Sequence, residues 1–238
     1  MQRNAWVCWD YVTSRSDQLA DATREHLYLT VVAMLVAVAI AVPLGVLAHR
    51  RPWLRPFVLG AATLLYTIPS LALFSLLLPF TKLSTTTVVI GLVTYALAIL
   101  VANVVAGLDG VSADVLDSAR GMGMSARQRF WKVELPLAVP TVLGGIRVAT
   151  VSTVALATVG TIVGHGGLGD LIFQGLRSNF KAQVLTATVL VIALALLLDL
   201  LLALLQRLLT PWERGSRRRR PVETLLETEE VAVGAAAG

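Results

Sequence analysis

The sequence predicts an all-α membrane protein with five transmembrane helices. Of its 238 residues, 56% are hydrophobic and only 15% are charged, whereas soluble domains carry about 25% charged residues. The charges are clustered, so that long apolar stretches alternate with short polar ones. Apolar stretches of about 20 residues are long enough to cross a bilayer as helices. The net charge of +5 does not indicate nucleic-acid binding, because the basic residues lie beside hydrophobic stretches.

Five stretches have the length and composition of spans, at residues 27–48, 57–79, 87–107, 138–163 and 182–205. In the first, Pro43 is expected to kink the helix and Gly45 to allow close approach of a neighbouring helix. Residues 1–23 are expected to form an extracytoplasmic N-terminal segment. Residues 207–238 lack the apolar content to pack, so a disordered tail is predicted there. The stretch at 164–181 is expected to be a loop.

The basic residues predict the orientation. Five spans place the two termini on opposite sides of the membrane. With the N-terminus outside, the outer face carries six bases and the inner face thirteen, and the inner ones are Arg50, Arg51, Arg55, Arg120, Arg127, Arg129, Lys132, Arg207, Arg214, Arg217, Arg218, Arg219 and Arg220. Because cytoplasmic loops carry the excess of Lys and Arg, we expect the N-terminus outside and the C-terminus in the cytoplasm.

Two charges lie well inside their spans, Arg147 in the fourth and Asp199 in the fifth. Such residues are costly in a membrane unless they find partners. Counted from Pro136 and Arg207, both lie roughly 12–17 Å in from the cytoplasmic side at 1.5 Å per residue. We therefore expect an ion pair between the two spans. The alternatives are that Arg147 extends to the inner interface or bonds carbonyls of its own helix.

The polar segment at residues 113–136 interrupts the apolar pattern. Its start predicts a short amphipathic helix, with two acids early and a base late to suit the helix dipole. Gly121 and Gly123 are expected to end that helix. Ser125 is a candidate N-cap for a second short helix, which Pro136 is expected to limit.

The spacing within this segment resembles a known loop. Asp117, Ser118 and Ala119 are followed at fixed offsets by Gly123 and by Leu135-Pro136. This is similar to the "EAA" loop of binding-protein-dependent ABC import permeases, which has Glu-Ala-Ala, then Gly, then Ile-x-Leu-Pro. Asp stands here for Glu, Ser for the first Ala and Val for Ile. The run Ala-Arg-Gly-Met-Gly-Met-Ser at residues 119–125 resembles the osmoprotectant branch, which handles glycine betaine, choline and carnitine.

Two further segments are similar to these permeases. Residues 66–74 resemble a second-span segment of the osmoprotectant branch, and residues 164–170 resemble a segment shared with methionine permeases. The resemblance covers residues 24–206 and implies the five-span core of the smaller type I ABC importers in the cell membrane. It also implies three partners: a second permease subunit, a cytoplasmic ATPase dimer and an extracytoplasmic solute-binding protein. It assigns ATPase coupling to residues 113–136, hereafter the coupling segment. The residues that it implies for this role are Asp117, Ser118, Ala119, Gly121, Gly123, Leu135 and Pro136.

Tyr66 and Tyr95 are candidates for the solute path. Both are expected near the middle of their spans, away from the interfaces where tyrosine usually gathers. Aromatic faces attract a quaternary ammonium through cation–π interaction. The alternative is a buried tyrosine that bonds to a neighbouring helix.

Other functions have less support in the sequence. A phosphate-binding loop of the pattern G-x-x-x-x-G-K-[ST] is absent from the sequence, so we expect ATP hydrolysis in a separate subunit. The three histidines lack metal-ligand spacing, and Cys8 is the single cysteine, so we expect neither a metal nor a cofactor. A methionine or other amino-acid permease stays open as an alternative. A membrane scaffold without a transport path and a membrane-embedded enzyme are alternatives from other classes.

Overall fold

The computed structural model describes residues 6–212, and this part of the chain is almost entirely helical, which confirms the all-α prediction. The α-helices are α1 (Trp9–Ser14), α2 (Ser16–Arg50), α3 (Arg55–Thr67), α4 (Ser70–Thr81), α5 (Thr85–Asp109), α6 (Ala113–Gly121), α7 (Ala126–Arg129), α8 (Leu135–Ala157), α9 (Leu168–Arg177) and α10 (Lys181–Leu209). A π-helix (Phe130–Glu134) joins α7 to α8, and a 3₁₀-helix (Thr158–Val163) extends α8. We call the end of the bundle that carries α6 the inner end and the opposite end the outer end.

Four helical stretches in the described residues are long and apolar enough to cross a membrane: α2, α5, the run from Ala126 to Val163, and α10. A fifth span is obtained if α3 and α4 count together, but these two helices meet at an angle of 96°. The span predicted at residues 57–79 is therefore divided into two helices, which the sequence analysis did not predict. Ile68, the residue before Pro69, is extended, with φ −65° and ψ 126°, because a residue that precedes proline avoids the helical region.

The outer end is more helical than the sequence predicted. α2 begins at Ser16, ahead of the predicted span, and α9 occupies most of the stretch predicted as a loop. Tyr11, Leu19, Leu168 and Leu171 are buried together there. These apolar residues stabilise helices outside the predicted spans, which is why hydropathy alone missed them.

Helix α5 is the central element of the bundle and packs against α2, α3, α4 and α8. The face of α2 that meets it carries small residues at a spacing of four, namely Ala33, Ala37, Ala41 and Gly45, all buried. A methyl group placed on Gly45 would lie 2.5 Å from Val104 Cγ1 of α5. The prediction that Gly45 allows close helix approach is confirmed.

The chain continues as one helix through Pro136, so the prediction that this proline limits the second short helix is wrong. The π-helix explains the difference. The Leu135 N–H bonds to the Phe130 carbonyl, five residues back, and this wider turn gives room for a proline ring that would clash in an unbroken α-helix. Pro136 then occupies the first turn of α8, where its missing N–H costs little.

The predicted disordered tail is only partly within the structure. Its first three residues, 207–209, belong to α10. Residues 213–238 lie outside the described residues, as do residues 1–5. The prediction for the rest of the tail, including Arg214 and Arg217 to Arg220, falls outside the described residues.

Candidate coupling segment and solute path

The coupling segment forms the predicted helix, glycine turn and second helix. The Met124 N–H bonds to the Ala119 carbonyl at 3.2 Å, and the Gly123 N–H bonds to the Arg120 carbonyl at 2.9 Å. With Gly123 at φ +76°, these two bonds make a Schellman motif, which satisfies the last carbonyls of α6. Ser125 then caps α7 in a reciprocal capping box with Gln128. Both the glycine stop and the serine cap are confirmed.

The residues assigned to ATPase coupling divide into two groups. Those on and after α6 are exposed, except Ala119, which is buried. Asp117 accepts a hydrogen bond from Arg120 at 2.7 Å, and the Ser118 hydroxyl donates to the Asp114 carbonyl at 2.8 Å. Leu135 and Pro136 are half-buried at the start of α8, and α7 separates them from α6 along the chain. The first group therefore presents a surface, whereas the second fixes how the segment joins the spans.

Gly121 and Gly123 differ in what they require of the backbone. A methyl group on Gly121 would meet nothing within 4 Å, and its φ is not positive. Gly123 needs a positive φ that other residues rarely adopt. Of the two, the turn depends on Gly123.

Tyr66 and Tyr95 come together at the break between α3 and α4. Their rings meet edge to face with centroids 5.8 Å apart, and both line a cavity of about 350 Å³. Tyr66 lies in the last turn of α3 and is half exposed, whereas Tyr95 is buried within α5 and its hydroxyl donates to the Ile68 carbonyl. Ser70, Ser152 and Thr153 add hydroxyls to the cavity wall. Tyr95 therefore combines both interpretations: it lines a cavity, and as a buried tyrosine it also bonds to the end of a neighbouring helix.

Arg147 and Asp199 are in contact across α8 and α10. The Arg147 Nε donates to Asp199 Oδ1 and an NH2 donates to Oδ2, each at 2.9 Å. Gln206 extends the pair, since it accepts from Arg147 at 3.4 Å and donates to the Pro140 carbonyl at 3.1 Å. Each charged side chain is 33% exposed in the single subunit.

The comparison with known proteins identifies the family. A family model described as the inner membrane component of binding-protein-dependent transport systems matches residues 30–215. The chain belongs to this family. It is a multi-pass inner-membrane permease of an ABC importer, in which a separate subunit hydrolyses ATP, and it works with ATPase and permease partners. It is therefore a transport subunit rather than an enzyme.

Curated relatives are similar to the permease over most of its length. It is 38% identical over 206 residues to the osmoprotectant import permease protein OsmW of Salmonella typhimurium, with 84% of this chain and 96% of the relative covered. It is 37% identical over 189 residues to the carnitine transport permease protein OpuCB of Listeria monocytogenes, with 79% and 87% covered. Among solved structures, an inward-facing MetNI methionine ABC transporter matches with a TM-score of 0.75 at 24% identity, covering 83% of this chain and 98% of that one. That match supports the fold.

The permease has a cluster of charges at its inner end that sequence reasoning missed. It comprises His49, Arg55, Asp109, Arg129 and Glu134, hereafter the inner-end cluster. His49 Nδ1 lies 2.7 Å from Asp109 Oδ1, and an Arg55 nitrogen lies 2.7 Å from Asp109 Oδ2. His49 Nε2 lies 3.8 Å from Glu134 Oε2, whose other oxygen accepts from Arg129 at 3.2 Å. Asp109 gave a signal for this cluster in the sequence. It is an acid in the last turn of a helix, where the helix dipole disfavours negative charge unless a partner is present.

A second histidine of the permease is buried at the outer end. His26 is fully buried, with Nδ1 3.2 Å from the Gly166 carbonyl and Nε2 2.9 Å from the Val154 carbonyl. It joins α2, α8 and the glycine-rich turn before α9. His165, by contrast, is partly exposed and lies 3.4 Å from Glu25. In the described residues, 6–212, no group of three or more His, Cys, Asp or Glu side chains could hold a metal ion.

Proposed function

We propose that this permease forms the membrane path of an ATP-driven importer of osmoprotectants, the quaternary ammonium solutes such as glycine betaine, choline and carnitine. The names of the similar permeases, osmoprotectant import in one and carnitine transport in another, support this solute class. The observation in this chain that carries the proposal is the aromatic cavity beside the break between α3 and α4.

Three features of this cavity suit a small cationic solute. Its volume of about 350 Å³ lies at the small end of the usual range for ligand sites. The Tyr66 and Tyr95 rings offer π faces, worth about 0.5–2 kcal/mol to a quaternary ammonium. Extended backbone at membrane depth is tolerated where it is buried in protein or lines a cavity, and the break at Ile68 and Pro69 contributes to the cavity wall.

Coupling to the ATPase is assigned to α6 and the turn that follows. The exposed Asp117, Ser118, Gly121 and Gly123 would dock on the ATPase, and the buried Ala119 would hold α6 against the rest of the segment. Exposed apolar side chains at Val115 and Met122 add contact area. A groove of about 900 Å³ beside α6 has five arginines among its twelve lining residues, and this excess of positive charge favours an acidic partner surface.

The proposed assembly follows from the orientation. The inner end faces the cytoplasm and the ATPase dimer, while the outer end receives solute from an extracytoplasmic binding protein. The second permease subunit would be either another copy of this chain or a paralogue. ATP binding would close the ATPase dimer, move the coupling segment and shift the spans from inward- to outward-facing.

Uptake by the complete reconstituted transporter tests the solute path. Tyr66→Phe is expected to keep uptake of choline and glycine betaine, because the ring face remains. Tyr66→Leu is expected to reduce it roughly 2- to 30-fold, the equivalent of the cation–π range. Tyr95→Phe is expected to lose more than Tyr66→Phe, because the Ile68 carbonyl then loses its donor. Full uptake in a Tyr66→Leu, Tyr95→Leu double variant would reject the path.

Substitutions at the two glycines test the coupling assignment. Gly123→Asp is expected to leave the permease in the membrane but abolish uptake, because a charge and a side chain are added at the docking turn. Gly121→Ala adds a methyl group that meets nothing within the subunit, so it is expected to leave the fold and the amount of permease in the membrane unchanged, and a loss of uptake would report the ATPase contact. Ser118→Ala, a change toward the family pattern, is expected to be nearly silent. Normal uptake with Gly123→Asp would exclude the docking role.

A further inference from the structure

An apolar contact and a polar contact attach the C-terminal half of the coupling segment to the spans. The apolar contact is Phe130, which is buried against Val104 and Leu108 of α5 and Ala138 of α8, with the Arg50 guanidinium 4.1 Å from its ring centre. The polar contact is the approach of His49 to Glu134. A rigid attachment of this kind can carry a movement from the docking helices to the spans.

The inner-end cluster is a chain in which basic and acidic side chains alternate. Arg55 of α3 contacts Asp109 of α5, and Asp109 contacts His49 of α2. His49 approaches Glu134 of the π-helix, which contacts Arg129 of α7. One imidazole therefore joins the ends of three membrane helices to the coupling segment.

The cluster is partly shielded from water. The His49 and Glu134 side chains are 23% and 12% exposed, so their interaction is screened less than that of a surface pair. A surface pair near the outer end, Arg24 with Asp21, has side chains 79% and 75% exposed. Solvent therefore weakens the inner-end contact less than it weakens the Arg24–Asp21 pair.

The His49 imidazole also limits which of the two carboxylates, Asp109 or Glu134, can accept a hydrogen bond from it. A neutral ring carries one N–H and donates at one nitrogen, whereas an imidazolium donates at both. Asp109 faces Nδ1 at 2.7 Å and Glu134 faces Nε2 at 3.8 Å. The short contact to Asp109 holds the ring on α5, and the longer contact to Glu134 is the one that can tighten or open when the coupling segment moves.

We propose that His49 is the positioning residue that relays movement of the coupling segment to α2 and α5. Glu134 moves with the docking helices, and its contact with the imidazole transfers that movement to the inner ends of the spans through Asp109 and Arg55. The inference rests on the proposed coupling function of α6. Loss of the relay uncouples the transporter: ATP hydrolysis continues while fewer solute molecules cross for each ATP.

The test uses the complete transporter in proteoliposomes and measures ATP hydrolysed per glycine betaine or choline imported. His49→Ala removes both contacts. His49→Asn keeps a donor near the position of Nδ1 and loses the reach to Glu134, whereas His49→Gln places a donor near the position of Nε2. Arg24→Ala is the control, because it removes an exposed ion pair far from the inner end.

The Ala and Asn variants are expected to raise the ATP-to-solute ratio by roughly 5-fold or more, the usual size of a coupling between sites. His49→Gln is expected to recover part of the loss, and Arg24→Ala to match the wild type. Glu134→Gln removes the charge from the other side of the same contact and is expected to raise the ratio as well. An unchanged ratio with His49→Ala or His49→Asn overturns the relay, including when both rates fall in proportion, because that pattern indicates a structural role only.

A second measurement needs no solute and separates this proposal from the solute assignment. Lys82→Cys and Arg177→Cys in a Cys8→Ser background place nitroxide labels at two exposed sites of the outer end. In the wild-type background, ATP is expected to change the distance between the labels, and with His49→Ala it is expected not to. A wild type that imports neither glycine betaine nor choline but shows this difference would reject the solute and keep the relay. A distance change that persists in His49→Ala would overturn the relay.

Discussion

Removing one member of the Arg147–Asp199 pair is expected to cost more than removing both. Asp199→Leu leaves the Arg147 guanidinium without its two 2.9 Å hydrogen bonds inside an apolar span. An unpaired charge at the centre of a span costs about 2.5–3.5 kcal/mol on insertion scales. Because 33% of each side chain is uncovered in the subunit, we expect the lower end of that range.

The double variant Asp199→Leu, Arg147→Met removes both charges and keeps the bulk of the side chains. Its free energy of unfolding is expected to lie about 1.5 kcal/mol or more above that of Asp199→Leu, because breaking a pair costs more than replacing it with apolar residues. The assay is the midpoint of thermal unfolding of the purified permease, at roughly 2–4 °C per kcal/mol for a chain of this size. Asp199→Leu should therefore lower the midpoint by about 5–10 °C.

Gln206→Ala is the control variant, because it removes a longer and therefore weaker hydrogen bond to Arg147, at 3.4 Å. A midpoint loss well below that of Asp199→Leu is expected. Arg147→Met alone completes the comparison. If the midpoint losses of Arg147→Met and Asp199→Leu add up in the double variant, the two side chains do not stabilise one another and the pair is refuted.

Two further changes test the packing of the bundle by the same assay. Gly145→Ala should destabilise the permease by about 1–3 kcal/mol, the usual cost of overpacking, because its methyl group would lie 2.4 Å from Asn103 Cβ. The methyl group of Gly144→Ala would meet nothing within 4 Å, so this variant should be neutral or stabilising. Equal effects of the two variants would exclude the close contact. His26→Phe should cost about 1–3 kcal/mol, since the buried carbonyl that accepts from the ring loses its donor. His165→Phe should change stability by about 0.5 kcal/mol or less, as surface changes usually do. Equal losses would show that the buried bond contributes nothing.

Local features of this permease could be predicted from the sequence because short-range chemistry determines them. The glycine stop at Gly123 and the cap at Ser125 depend on residues within one turn. The contact between Arg147 and Asp199 was also accessible, because a membrane leaves an isolated charge few alternatives and helix geometry supplied the depth. The all-α class follows from composition and span length alone.

The features that sequence reasoning missed depend on tertiary contacts. The inner-end cluster joins residues far apart in the chain, at His49, Asp109 and Glu134, and none of them forms a local motif. Helix α9 is stabilised by burial against α1, α2 and α10, so hydropathy did not reveal it. The break between α3 and α4 had a local signal in Pro69, but an apolar stretch of span length outweighed it in the prediction. Pro136 shows the opposite error, since a π-turn accommodated a proline expected to end a helix.

Solute uptake tests the central claim most directly. Labelled glycine betaine, choline and methionine would be offered separately to a strain that lacks its own carriers for them and expresses the complete transporter. We expect ATP-dependent uptake of glycine betaine or choline, reduced by Tyr66→Leu, and no uptake of methionine. Uptake of methionine alone, or betaine uptake that Tyr66→Leu and Tyr95→Leu together leave unchanged, would contradict it.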